Sequence, residues 1–496
     1  MKTKTYILYL FLLLPFLSNA QSSFDEYKKR KQEEFNNFKQ KKQKEFDNFK
    51  KKKQEEFAEF LKNNWIEYEI HSGIKQPLNP DPVDIPKADP NEAITNDELP
   101  IIPGKEVLPD NEPAIPNIPA IPDIPDSINY ETASFDFLGY PLKIGYDKKI
   151  RFSLPDNQEK SVANAWLMLS NASYEELIYK CYLIKEKLQL NDWAYYLFLK
   201  GLAAHIFPVE RKNEQVVFIA YMLSNSGFKV KMGKDERSEE LLLLAPIEEQ
   251  VYELPFIEIS GDLYYTLERS SVGNVLSYNN MDNDEPKKNL QMTIYKPIKA
   301  MPAKMEAKPE TLMGQKIDIQ CNPNAMTLYQ QFPICSLSVY FNSECSEEVN
   351  NSLQNEIGEK IVGKTPKEQV AIILNFIHGN FPYMKNEEQL GREQCFFYEE
   401  TLAYPYSDCK DNVALFTYLV RKLTGLKVIG LQYDENEKKK GHAAAAVSFN
   451  EDITGNYVVY KGEKYLICDP TYFGARIGQA MPDYADEPAK VIEIRN

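Results

Sequence analysis

The sequence predicts an α+β protein built in several sections. Helix-patterned stretches at 161–224 and 409–424 are each followed by short strand-patterned segments, the segregated order of α+β folds. Hydrophobic residues make up 43% of the 496 and charged residues 26%, enough apolar surface for packed cores. Thirteen of the 31 prolines fall between residues 75 and 127 and set the N-terminal section apart from the rest. The net charge of −15 argues against a nucleic-acid partner, whose phosphates call for a basic surface.

Residues 1–20 have the layout of a secretory signal peptide. Lys2 and Lys4 precede an apolar run from Tyr6 to Leu17, and Ser18 and Ala20 supply the small residues of a cleavage site. The run is shorter than the ~18 residues of a membrane span, so export is expected. The seven cysteines are odd in number, which leaves at least one thiol unpaired in an exported chain. Cys321, Cys335 and Cys345 are the candidates for a disulfide. No C-x-x-C pair occurs and the four histidines are scattered, so neither a metal nor another cofactor is expected.

Residues 21–66 read as one long charged helix. Phe24, Phe35, Phe46 and Phe57 recur every eleven residues, followed by Tyr27, Phe38, Phe49 and Phe60 three residues later. Eleven residues make three turns, so both series keep to one helix face. The expectation is a solvated stalk or self-associating helix, with contact to an anionic envelope surface as the alternative. Residues 75–127 are expected to be a semi-rigid spacer, because PAIPNIPAIPDIP places proline at every third position and favours polyproline II.

Globular sequence resumes near Tyr130. A helical pattern runs from Ser161 to Phe207 and another from Glu214 to Ser224, which Gly227 ends. Strands are expected at 241–244, 251–259 and 263–267. Residues 286–350, with alternating patterning and several prolines, are expected to be a β-rich connection. A helix over 366–378 then opens the last section, 351–496.

That section carries the chemistry. In PYSDCKDNVALFTYLVRKLTG, Ser407 or Asp408 can cap a helix that starts at Cys409 and closes at Gly425. A cysteine at a helix N-terminus meets the positive end of the dipole, which favours thiolate. A strand at 426–431 follows. His442 opens the small-residue strand HAAAAV, and Asp469 ends the strand KYLIC before Pro470. Cys409, His442 and Asp469, spaced 33 and 27 residues apart, supply a nucleophile, a base and a residue to orient the base. Asp408 and Asp411 are assigned to helix capping, since a carboxylate beside the thiol would raise its pKa. Cys395 and Cys468 are read as packing residues.

The segments SDCKD (407–411), GHAAAAV (441–447) and YLICDPTY (465–472) resemble the transglutaminase-like superfamily of papain-type cysteine enzymes. EEQLGREQCFFYEETLAYPYSDCKD is similar to its exported bacterial branch. The resemblance covers about residues 355–480. It implies a Cys helix packed on an antiparallel sheet that carries His442 and Asp469, action on a protein or peptide such as a cell-wall peptide, and a place in the periplasm or at the cell surface. Papain-type sites often add a side-chain amide to the oxyanion hole beside the nucleophile's own N–H. Gln389 is the choice here and Gln394 the runner-up.

Residues 130–285 echo this unit. EQVVFIAYMLSNSGFKV (214–230) aligns with NVALFTYLVRKLTGLKV (412–428) at a constant offset of 198, and GDLYYTLE (261–268) with GEKYLICD (462–469). At the first offset Cys409 falls on Arg211 and His442 on Leu244, and the second match sets Glu268 opposite Asp469. A degenerate second copy without nucleophile or base is expected. The functional expectation is an exported cysteine peptidase or amidase acting through an acyl-thioester at Cys409. The alternatives are a crosslinking acyl transferase and a non-catalytic envelope scaffold.

Overall fold

The structure is a computed structural model. It describes residues 29, 36–37, 39–75, 87–89, 91–99, 101–102, 130–267, 273–279, 287–306, 310–435 and 439–495. The signal peptide, the aromatic residues at 24, 27, 35 and 38, the PAIPNIPAIPDIP run and Glu268 lie outside the described residues.

The architecture is α+β, two helix-and-sheet lobes joined through one continuous core. Helix α1 covers residues 39–61, and its aromatic stripe has two fates. Phe46 and Phe49 are exposed. Phe57 and Phe60 dock on the first lobe, with Phe57 4.9 Å from Trp166 and 5.9 Å from Tyr278. Gln54 bonds Trp166 Nε1 and Asn225 across the same contact. The end of the stalk is therefore part of a lobe.

The first lobe holds strands β1 (Trp65–Tyr68), β3 (Tyr130–Phe137) and β4 (Tyr140–Asp147), with β2 (Ile101–Ile102) belonging to the second lobe. The hairpin β3–β4 was not anticipated, although Ala133, Phe135, Ile144 and Tyr146 are buried at alternate positions. The 161–207 pattern resolves into helices α2 (Glu159–Ser170), α3 (Tyr174–Leu188) and α4 (Asp192–Ile206). Gln189, left-handed at φ 53°, ends α3, and the Asn191 side chain caps α4. Helix α5 (Lys212–Asn225) precedes strands β5 (Lys231–Asp235), β6 (Leu241–Pro246), β7 (Phe256–Ile259), β8 (Asp262–Thr266) and β9 (Val275–Tyr278). The strand expected from Val251 begins only at Phe256, since Glu253 has a positive φ of 62° and Pro255 has no N–H to donate.

The connecting region departs most from expectation. It contains strands β10 (Met305–Glu306), β11 (Glu310–Leu312), β12 (Gln315–Ile317) and β13 (Gln320–Cys321), but also helices α6 (Pro323–Tyr329), α7 (Leu337–Asn342) and α8 (Glu347–Leu353). Pro323 sits in the first turn of α6, where its missing N–H costs nothing, and Asn322 and Ser346 cap α6 and α8. One of the prolines of this region thus marks a helix start.

In the second lobe, α9 (Glu359–Ile361) leads to α10 (Pro366–Asn380), which Thr365 and Glu368 start with a capping box. Short helices α11 (Asn386–Leu390) and α12 (Tyr398–Ala403) precede α13 (Cys409–Thr424), and strands β14 (Val428–Tyr433), β15 (His442–Val447), β16 (Tyr457–Tyr460), β17 (Glu463–Cys468) and β18 (Ala489–Ile492) follow. Helix α13 packs on β14 and β15.

The two sheets share one strand order. The first runs β7-β8-β6-β5-β9-β1 and the second β16-β17-β15-β14-β18-β2, each after a helix in the same place, α5 or α13. Each is closed by a segment from the N-terminal section. His71, just past β1, exchanges backbone bonds of 2.9 and 3.1 Å with Phe256 on the opposite edge. Residues 97–99 bond Tyr457 at the start of β16, while β2 pairs with β18. Register corrects the expected alignment of the copies. Tyr433 lies opposite His442, and Asp235 at the matching position bonds Glu240, so exposed Glu240 takes the place of His442 where Leu244 was expected. The turn from Asp235 to Glu240 is shorter than that from Tyr433 to His442, which shifts the alignment.

Replacing Phe57 with alanine removes the ring that joins α1 to Trp166 and Tyr278. The expected cost is roughly 2 kcal/mol, less than for a fully buried ring, as a lower urea midpoint followed by tryptophan fluorescence.

Candidate active site

Cys409 is the first residue of α13 and is 0% exposed. Asp408 caps the helix by accepting from the N–H groups of Lys410 at 2.9 Å and Asp411 at 3.3 Å, and Asp411 returns a bond to the Asp408 N–H. Gly425, left-handed at φ 70°, ends the helix. The apolar stripe of α13 lies against the sheet and sets its N-terminus over the start of β15. There the Cys409 thiol meets the backbone N–H of Ala443, one peptide unit from His442.

His442 and Asp469 meet directly. Nε2 of His442 lies 2.9 Å from Oδ2 of Asp469, with both residues buried. The other carboxylate oxygen accepts the Thr471 N–H at 2.9 Å, the Thr471 hydroxyl at 2.8 Å and the Tyr472 N–H at 3.2 Å. Burial pushes the Asp469 carboxyl up, but His442 and these donors outweigh it and hold the group below its ordinary value. An ionised Asp469 can only accept, so Nε2 carries the hydrogen and Nδ1 holds the free lone pair. That Nδ1 is buried and has no hydrogen-bond partner among the described residues. Tyr484 stacks on the imidazole at 4.6 Å and 26°, and donates its hydroxyl to the Lys440 carbonyl at 3.0 Å.

The thiol departs from expectation. Burial pushes Cys409 well above the ordinary thiol value, and the Asp408 carboxylate adds to this. Lys410 and the Ala443 N–H oppose the shift without cancelling it. Burial, with the capping carboxylate adding to it, favours the neutral thiol over a thiolate.

The amides expected at the oxyanion hole are engaged elsewhere. Gln389 binds the Tyr406 backbone through both amide atoms, donating to its carbonyl at 3.2 Å and accepting from its N–H at 3.1 Å. It fastens α11 to the loop that leads into Cys409. Gln394 donates to Glu400 at 3.2 Å. Sequence reasoning missed Asn412, one turn along α13. It is buried, accepts from Ser407 Oγ at 2.7 Å, and its Nδ2 has no partner among the described residues. It also missed His378, whose Nε2 lies 3.3 Å from the Asp469 carbonyl and therefore carries its hydrogen there. Burial lowers the His378 pKa, which keeps the ring neutral.

A charged layer underlies the helix start. Lys410 is buried, with Nζ 2.6 Å from Glu393 and 3.4 Å from Asp408. Burial works against its charge, but those carboxylates outweigh it and hold Lys410 protonated. Asp411 accepts from Asn386 and from the Phe396 N–H, both at 2.8 Å, which pins the 386–396 segment to the helix. None of the seven cysteines, all of them buried, is in a disulfide, including the three candidates. Among the described residues no group of His, Cys, Asp and Glu could hold a metal ion, and no helix is long and apolar enough to cross a membrane. No protein-family model matches the chain, and a search of curated proteins finds no match.

Burial raises Glu400 from 4.5 to about 8. The folded protein therefore keeps a proton that the unfolded chain releases, and stability is lost as pH rises from 4.5 through about 8. Glu400→Gln should remove this share, up to about 1.4 kcal/mol per pH unit, and so flatten the fall of the urea midpoint across that range.

Proposed function

We propose that the protein is an exported cysteine hydrolase of transglutaminase-like, papain-type architecture, cleaving a peptide or amide bond through an acyl-thioester on Cys409. The observation that carries this reading is a buried imidazole with Nε2 committed to Asp469 and Nδ1 unpartnered, one peptide unit from the N–H that meets the Cys409 thiol.

In this reading Nδ1 of His442 takes the thiol proton as sulfur attacks the carbonyl carbon. The resulting oxyanion is held by the Cys409 N–H and the Asn412 amide. The imidazolium, stabilised by Asp469, protonates the leaving amine as the C–N bond breaks. Water then gives a proton to Nδ1 and attacks the thioester. Collapse releases the carboxylic acid, and sulfur recovers its proton. An amine in place of water would give crosslinking by the same steps. Substrates would be protein or peptide, cell-wall peptides among them.

A scaffold reading draws on the full burial of Cys409, since substrate must displace something to reach it. Incubation of the chain from residue 21 with peptide and cell-wall libraries, analysed by mass spectrometry, separates the two. Products are expected from wild type and none from Cys409→Ala. Asp469→Asn should lower kcat by roughly 10²–10⁴, through loss of the productive tautomer. His442→Ala should slow labelling of Cys409 by iodoacetamide, because the buried thiol reacts only as the imidazole takes its proton. Labelling unaffected by His442→Ala, with no products, would leave the scaffold.

A further inference from the structure

The proline-rich section was expected to be a spacer, yet its described residues lie along the second lobe beside the Asp469 loop. Ala88 N–H donates to the Phe473 carbonyl at 2.9 Å. Arg476 donates to the Glu92 carbonyl at 2.9 Å. Gln479 donates to the Asp89 carbonyl at 3.4 Å and the Glu92 carboxylate at 3.1 Å. Asn456 bonds Thr95 at 3.1 Å. The Leu99 N–H donates to the Tyr457 carbonyl at 2.8 Å, and the Tyr457 N–H to the Asp97 carbonyl at 3.2 Å. Residues 101–102 then pair in parallel with β18.

The segment thus occupies both edges of the catalytic sheet, β16 on one side and β18 on the other. Leu99, 2% exposed, enters the core beneath it with Tyr433, Tyr472 and Tyr484, and Ala88 packs against the same core. Tyr484 stacks on His442, and the Tyr472 N–H bonds Asp469. His378 holds the Asp469 carbonyl from the other side and lies 5.7 Å from the Phe473 ring. The loop that carries Asp469 is therefore gripped between α10 and a stretch of chain far away in sequence.

We propose that the described residues 87–89, 91–99 and 101–102 form a positioning strap for the proposed catalytic pair: by closing the sheet and clamping the 472–479 segment, they hold Asp469, and through it the His442 ring, in register with Cys409. The contacts are mostly to backbone carbonyls and N–H groups, so extended chain suits the task. These residues lie far from the catalytic section in sequence, so the order of the site depends on distant chain. The positioning role rests on the hydrolase reading, whereas the clamping of the loop does not.

The test uses the chain from residue 21 with two variants. Leu99→Asp places a charge in the core beneath the sheet. Arg476→Ala with Gln479→Ala removes side-chain bonds to the strap and guards against misfolding of the first. Hydrogen exchange is read by mass spectrometry at 87–102 and 469–473, and Cys409 alkylation by iodoacetamide is followed from pH 5 to 9. Both variants should raise exchange in the strap and, by roughly tenfold or more, in the loop. They should also shrink the difference in alkylation that His442→Ala makes in the parent. A strap that stays protected in the double variant overturns the proposal. So does a freed strap with an unchanged loop, or a loosened loop with unchanged His442-dependent alkylation. If His442→Ala has no effect in the parent itself, the hydrolase reading fails, and the exchange data still decide whether the strap clamps the loop.

Discussion

The site depends on one contact, the 2.9 Å bond between His442 Nε2 and Asp469 Oδ2. Both groups are buried, where an unpaired carboxylate would be expensive and would protonate. Four donors keep Asp469 ionised: the imidazole, two backbone N–H groups and the Thr471 hydroxyl. Ionisation fixes the tautomer, and the tautomer leaves the lone pair on Nδ1. The neighbouring elements serve this arrangement. Strands β15 and β17 are adjacent in the sheet, Tyr484 covers a ring face, and His378 and the strap grip the loop from opposite sides.

A cost comes with the helix start. Asp408 satisfies N–H groups that the first turn of any helix leaves open, and with Asp411 it anchors the 386–396 segment. The same negative charge, together with burial, keeps the Cys409 proton in place. Lys410 restores only part of the balance, because its own charge is shared with Glu393. The helix dipole alone therefore does not decide the state of the sulfur.

Much of this was legible in the sequence wherever the signal was local. Asp408, Cys409 and Gly425 marked the helix by capping and φ preference, and His442 and Asp469 fell at the ends of short apolar runs. The 286–350 region was expected to be β-rich, and α6 departs from this because Pro323 occupies the first turn of a helix. The engagement of Gln389 with Tyr406 and of Gln394 with Glu400 depends on loop packing that composition does not encode. The docking of 87–102 was invisible for a stronger reason. It is made largely by backbone groups, and these are the same for every sequence.

The two sheets share one strand order, and where the second lobe presents buried His442 the shorter turn after β5 of the first leaves an exposed Glu240. The first lobe also offers a packing surface. Trp193 donates to the Gln331 carbonyl at 3.1 Å, Val251 bridges to Cys335, and the Tyr252 N–H bonds Ile334. These contacts fix the 331–336 segment. Phe332 then meets Phe397 edge-on and Tyr329 packs on it at a tilt, in the stretch between Asp411's partner Phe396 and helix α12. Backbone bonds and ring contacts thus link the first lobe to the segment whose Phe396 N–H binds Asp411 in the first turn of α13, as the strap links to the Asp469 loop from outside.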